Sequence, residues 1–132
     1  MIERGGSTVD LFDGAPMSVR HSDNITSHTS PVVAVVRTSP ETVLHDVKAA
    51  MKLAGYAVAL PKDFATLLKI NISWQHYYPA CSTTPWQLDG VIRTLVDDGY
   101  KGIIPTHNGT VVVDAKEGQI KNGHKFVEEL HN

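Results

Sequence analysis

This chain of 132 residues carries a single cysteine, Cys81, which excludes an internal disulfide framework and cannot by itself hold an iron–sulfur cluster. Charge is scarce as well: 12 Lys and Arg against 14 Asp and Glu leave a formal net charge of -2, with no basic run of five. The electrostatic footprint of a nucleic-acid binder is therefore missing, and so is a polybasic membrane patch. No apolar run approaches the ~18 residues of a membrane-spanning helix, so no membrane partner is expected. Met1 to Gly6 shows no basic segment followed by an apolar stretch, and a cytoplasmic location is expected. Gly-x-Gly-x-x-Gly, Walker-type Gly-Lys-Ser/Thr and Gly-x-Ser-x-Gly are all absent. His21, His28, His45, His124 and His131 lack ligand spacing, and no metal site is expected.

What is present points to one globular domain, with 42% hydrophobic residues and a modest core. Residues 1–30 are rich in Ser, Thr, His, Gly and Asp without periodicity and read as a mobile arm. Residues 31–132 read as the folded part. Val32-Val33-Ala34-Val35-Val36 is an unbroken apolar, mostly β-branched run, which suits a strand covered on both faces.

Two units then share one grammar. Thr38-Ser39-Pro40 to Gly55-Tyr56 and Thr83-Thr84-Pro85 to Gly99-Tyr100 each open with a hydroxyl cap and a proline. Each runs through a helical stripe: Val43, Leu44, Val47, Ala50, Met51 and Ala54 in the first, Leu88, Val91, Ile92, Leu95 and Val96 in the second. Each stops at a glycine suited to a left-handed cap. Between them a second strand leads through Leu67-Leu68 to Ser73, and Gly102-Ile103-Ile104 starts a third.

The order predicts an α/β fold, a small Rossmann-like βαβαβ parallel sheet with two right-handed crossover helices. Asn108-Gly109 before Val111-Val112-Val113 predicts a C-terminal hairpin, and residues 124–131 a short helix. Both crossover helices can lie on one face. Because the first strand is apolar on both faces, the second face is expected to be covered by C-terminal residues, the arm or a partner chain. A homo-oligomer is the simplest partner.

In such a sheet, ligands bind beyond the carboxyl ends of the strands. Lys69, Asn71 and Ser73 alternate with Ile70 and Ile72, so an ammonium, an amide and a hydroxyl share one face near a strand end. Thr83 and Thr84, at the start of the second helix, add an end that favours anions. Together they predict a site for a small anionic ligand, a carboxylate or phosphate; the competing reading is a solvated sheet edge.

Trp74, Tyr77, Tyr78 and Trp86 cluster around the long loop after that strand. They read as packing or an interface in preference to a pocket lining. Cys81 stands before a helix start, with His76 or His107 as a conceivable base, but reads as an unremarkable thiol. His107 follows the third strand, a suitable place for a general acid–base group.

At Leu68-Lys69-Ile70-Asn71 and Thr83-Thr84-Pro85-Trp86-Gln87-Leu88 the chain resembles the uncharacterised DUF362 family, whose hallmark is a strand ending in Lys-Pro-Asn followed by a Thr-x-Pro helix start. Val-Val-Ala-Val-Val-Arg-Thr-Ser-Pro and Asn108-Gly109-Thr110-Val111-Val112-Val113 extend the likeness from Val32 to Lys125. Ile70 stands where the family has proline. The resemblance reaches only the family's N-terminal half and lacks its cysteine-rich ferredoxin-like segments. It implies a half-site completed by another chain, and no iron–sulfur cluster. The turn is also remotely similar to the N-terminal domain of nickel-pincer lactate racemase-like proteins. That likeness implies a carboxylate-binding turn at Thr83, Thr84 and Pro85 and an acid–base role for His107. A non-catalytic assembly module with an aromatic interface is the alternative.

Overall fold

A computed structural model describes residues 32–109 and 111–132; the expected arm over residues 1–30 lies outside the described residues. The element order is α1 (Val43–Leu53), α2 (Tyr56–Ala59), β1 (Thr66–Lys69), α3 (Pro85–Asp97), β2 (Ile103–Thr106), α4 (Ala115–Lys121) and α5 (His124–His131). β1 and β2 pair in parallel with Thr66 opposite Ile103 and Lys69 opposite Thr106. The fold is therefore mixed α/β, with α3 as the crossover between the two strands.

α3 forms as its sequence dictates. The Thr84 hydroxyl accepts a hydrogen bond from the Gln87 amide at 3.4 Å, and Pro85 occupies a first-turn position where its missing N–H costs nothing. Leu88, Ile92 and Leu95, at i, i+4 and i+7, are all buried. Gly99 takes the left-handed conformation, with φ of 85°, and closes the helix. α5 contributes Val127 to the same core, which holds Ile70, Leu88 and Ile92, with Leu68, Ile72 and Ile103 packed against it.

α1 starts later than its sequence grammar suggests. Its N-cap is Thr42, in place of Thr38 or Ser39, and no side chain caps it. The Ser39 carbonyl instead accepts from the Thr42 amide at 3.2 Å, so Pro40 sits within a turn. The Thr42 hydroxyl donates to Asp46 one turn on, at 2.5 Å, which draws it away from the helix end. α1 packs on α3 where Gly90 meets Val47. A Cβ on Gly90 would stand 2.9 Å from the Val47 Cβ, so only glycine permits that approach.

Two expected strands do not form. Val32 to Val36 carry no strand pairing and make no backbone hydrogen bond to described residues, and Val33 and Val35 are each 83% exposed. An apolar, β-branched run satisfies strand preference but cannot supply the neighbouring edge that a ladder requires. The hairpin after Asn108-Gly109 is also absent, since residues 111–113 form bends. Pro105 gives the reason. The Thr66 amide bonds the Gly102 carbonyl and the Ile70 amide the Thr106 carbonyl, so even-numbered residues of β2 face β1. Ile103 and Pro105 then direct their backbone outward, and proline removes the donor that an added strand would need.

One face of the sheet stays open among the described residues. Leu68 and Ile103 turn toward the helices, whereas Leu67 is 69% exposed and Ile104 46%. The C-terminal helices do not cover that face, because Val127 packs into the core on the helix side. Among the described residues no helix is long and apolar enough to cross a membrane.

Candidate functional site

β1 ends at Lys69, and the chain then enters a loop that returns to α3 through a reciprocal pair. The Asn71 amide donates to the Thr83 hydroxyl, and the Thr83 amide donates to the Asn71 carbonyl, both at 2.9 Å. The Asn71 carboxamide donates to the Ser73 hydroxyl at 2.6 Å and to the Cys81 carbonyl at 2.7 Å. The Ser73 amide reaches the hydroxyl of Ser82 at 3.3 Å. Asn71, Ser73 and Thr83 thus meet as the sequence suggests, with Thr84 adjacent as the α3 cap. Their first task is to staple the loop.

Lys69 is not part of that cluster. Its ammonium donates to the Ile70 carbonyl at 2.9 Å, while the Asn71 N–H on the same peptide unit bonds Thr83. That peptide is trans, so its C=O and N–H point in opposite directions. The ammonium and the Thr83 hydroxyl consequently occupy opposite edges of one peptide plane. The single polar face expected for Lys69, Asn71 and Ser73 ends where the strand ends, because alternation holds only while the ladder does.

A second support was not legible as a site residue. Asn122, 1% exposed, donates through its carboxamide nitrogen to the carbonyls of Trp74, His76 and Gly118, at 3.1, 3.3 and 2.9 Å. Its oxygen accepts from the Tyr78 amide at 3.3 Å. Gly118, one turn earlier on α4, lets the loop lie close: a Cβ there would come within 2.5 Å of the Ile72 Cγ2. His124, also buried, uses Nε2 to donate to the Thr83 carbonyl at 2.5 Å, and its Nδ1 has no hydrogen-bond partner. Asn122-Gly123 is a helix-stop signal in sequence, yet nothing in the pattern couples it to a loop more than forty residues away.

The aromatic residues lie at the surface. Trp74, Tyr77, Tyr78 and Trp86 are 43% to 57% exposed, and the Trp74 ring lies tilted at 55° to that of His76, 5.8 Å between ring centroids. Trp86 lines a cleft of about 410 Å³ with Thr38, Ser39, Pro40 and Val43. The Cys81 thiol donates to the Tyr78 carbonyl at 3.5 Å. Among the described residues no imidazole is bonded to that sulfur. His107 is exposed and its Nδ1 donates to the Asn108 carbonyl at 3.1 Å, freeing Nε2 as an acceptor at the carboxyl end of β2. Among the described residues no group of three or more His, Cys, Asp or Glu is placed to hold a metal ion. Comparison with family models, curated proteins and solved structures returns no match.

Proposed function

We propose that this domain is half of a binding site for a small anionic ligand, a carboxylate or phosphate, held at the carboxyl ends of its parallel strands. One observation carries the reading. The Thr83 and Thr84 oxygens each accept a backbone bond and the Ser73 oxygen accepts from Asn71, so all three hydroxyl protons remain available. Lys69 spends one of its three donors on Ile70. The residual capacity of these four side chains is rich in donors, which suits an acceptor-only guest. Lys69 reaches it by releasing the Ile70 carbonyl, and His107 stands at the same end of the sheet as an acid–base group.

The open sheet face supports the second half of the proposal. We read Val32 to Val36 as the missing outer strand of a Rossmann-like βαβαβ sheet, whose uncovered side is completed by another chain, a second copy or a C-terminal half. The resemblance to DUF362 proteins agrees with that division, and a cytoplasmic location fits one free thiol. Titration with inorganic phosphate should raise the melting temperature saturably, and Lys69→Ala should abolish the rise. A flat titration, or an unaltered response in Lys69→Ala, rejects the site.

The exposure of Trp74, Tyr77, Tyr78 and Trp86 favours a second reading, a non-catalytic assembly module with an aromatic interface. Replacing Trp74 and Tyr78 by alanine should then lower the oligomer mass in light scattering. An unchanged mass removes that reading.

A further inference from the structure

We propose that the cleft between the Thr38-Ser39-Pro40 turn and Trp86 binds a small organic cation, an ammonium carried on a compact apolar body. The cleft is of ligand size, about 410 Å³, and its walls are the indole of Trp86, the Pro40 ring and Val43. A second cleft of about 320 Å³ adjoins it, sharing Thr38 and Val43 and adding Asp46, Val47 and Ala50.

The hydroxyl protons at this rim point the other way from those at the loop staple. Thr42 donates its proton to the Asp46 carboxylate, so in the Ser39–Thr42 hydroxyl pair, 3.1 Å apart, Ser39 is the donor. Thr38 donates to the Ser39 carbonyl. Both hydroxyls that line the cleft therefore spend their protons on the protein and present only oxygen lone pairs to a guest. Two carboxylates flank them: Asp46, on the wall of the adjoining cleft and held below the usual carboxylate range first by the Thr42 hydroxyl, and Glu41, next to Pro40 in the chain.

An anion would meet acceptors and negative charge here, whatever the helix start contributes. A neutral apolar guest would leave the carboxylates unused. An ammonium satisfies the acceptors, complements Asp46 and lies against an aromatic face that holds no other cation, since the cation–π contact among the described residues is Lys62 on Tyr100. This site is chemically opposite to the anion half-site, and either stands without the other.

The test uses the whole chain with Trp74→Phe, which leaves Trp86 as the sole indole; the Trp74 contact to Asn122 is made by its backbone and survives. Benzylammonium, charged at neutral pH and carrying three N–H donors, should quench Trp86 emission saturably. Benzyl alcohol should bind about tenfold more weakly and benzoate not at all. Glu41→Gln with Asp46→Asn should weaken the ammonium by about tenfold and flatten its salt dependence. In Trp86→Leu, the ammonium should no longer raise the melting temperature. The proposal is overturned if quenching does not saturate, if benzyl alcohol matches the ammonium, or if the carboxylate variants bind it unchanged.

Discussion

Asn122 is the residue whose removal should cost this domain most for its size, and its geometry allows the cost to be worked out. Its carboxamide has two donor hydrogens shared among three carbonyls, and one oxygen that accepts from the Tyr78 amide. Asn122→Ala therefore removes about three hydrogen bonds at ~1 kcal/mol each. The loop carbonyls of Trp74 and His76 regain part of that from water, whereas Asn122 itself is buried. The net loss should be about 2–3 kcal/mol, a fall of roughly 10–20 °C in melting temperature for a domain near 100 residues.

Asn122→Asp separates hydrogen bonding from packing. The change is isosteric and keeps the acceptor for Tyr78, but it turns two donors into acceptors facing three carbonyl oxygens. At neutral pH it should destabilise at least as much as alanine, and lowering the pH should recover part of the loss as the carboxyl regains a proton. Thermal and urea unfolding of the three proteins, followed by circular dichroism, give the ranking. If the aspartate variant is clearly milder than the alanine one, or if alanine costs under about 1 kcal/mol, the residue fills space and the loop is not held as argued.

Two further outcomes follow from the helix starts and the acidic groups. Thr84→Ala should cost about 1 kcal/mol because it removes a true cap, while Thr42→Ala should cost less, its hydroxyl serving Asp46; equal losses would contradict the difference between the caps. Asp98 is held below the usual carboxylate range, first by the Tyr56 hydroxyl at 2.5 Å and also by the charges of Lys52, Lys48 and Lys62. A depressed carboxyl stabilises the fold above its unfolded pKa near 4, and that contribution disappears as the pH falls through the folded value. Asp98→Asn should therefore flatten the loss of melting temperature below about pH 4; an unchanged acid slope would refute it.

How far the sequence could be read depended on the range of the interaction involved. α3 was legible from start to finish because its cap, proline, stripe and glycine are all local. α5 was legible for the same reason, though Val127 as a core residue was not distinguished from Phe126 or Leu130. α4 went unseen: Ala115 to Lys121 is polar, and its N-cap, Asp114 accepting from the Glu117 amide at 2.9 Å, precedes no apolar run. The Val32 to Val36 run and the residues after Asn108-Gly109 take no pairing among the described residues, because strand pattern encodes preference while pairing needs an available edge. In the site, Asn71, Ser73 and Thr83 lie together, but not through the strand alternation that grouped Asn71 and Ser73 with Lys69, since the strand ends at Lys69. Their hydrogen-bond duties were not legible, and neither were Asn122 and His124, which reach the loop only through the tertiary fold.

The two Thr-Pro helix starts show why shared grammar does not imply shared chemistry. Both present hydroxyls beside a helix that begins near a strand end. At Thr83 and Thr84, backbone amides occupy the oxygens and leave protons outward. At Thr38 and Ser39, the Asp46 carboxylate and backbone carbonyls draw the protons inward and leave lone pairs outward. The difference traces to Asp46 in the first unit, whose counterpart in register in the second is Val91; the acid in that helix turn is Asp89. Asp89 is occupied by Arg93 at 2.8 Å and His131 at 2.7 Å, and so exerts no pull on the threonines. Asp46→Val should therefore free the Thr42 and Ser39 protons and weaken benzylammonium binding at the first helix start, while phosphate binding at the second is unchanged.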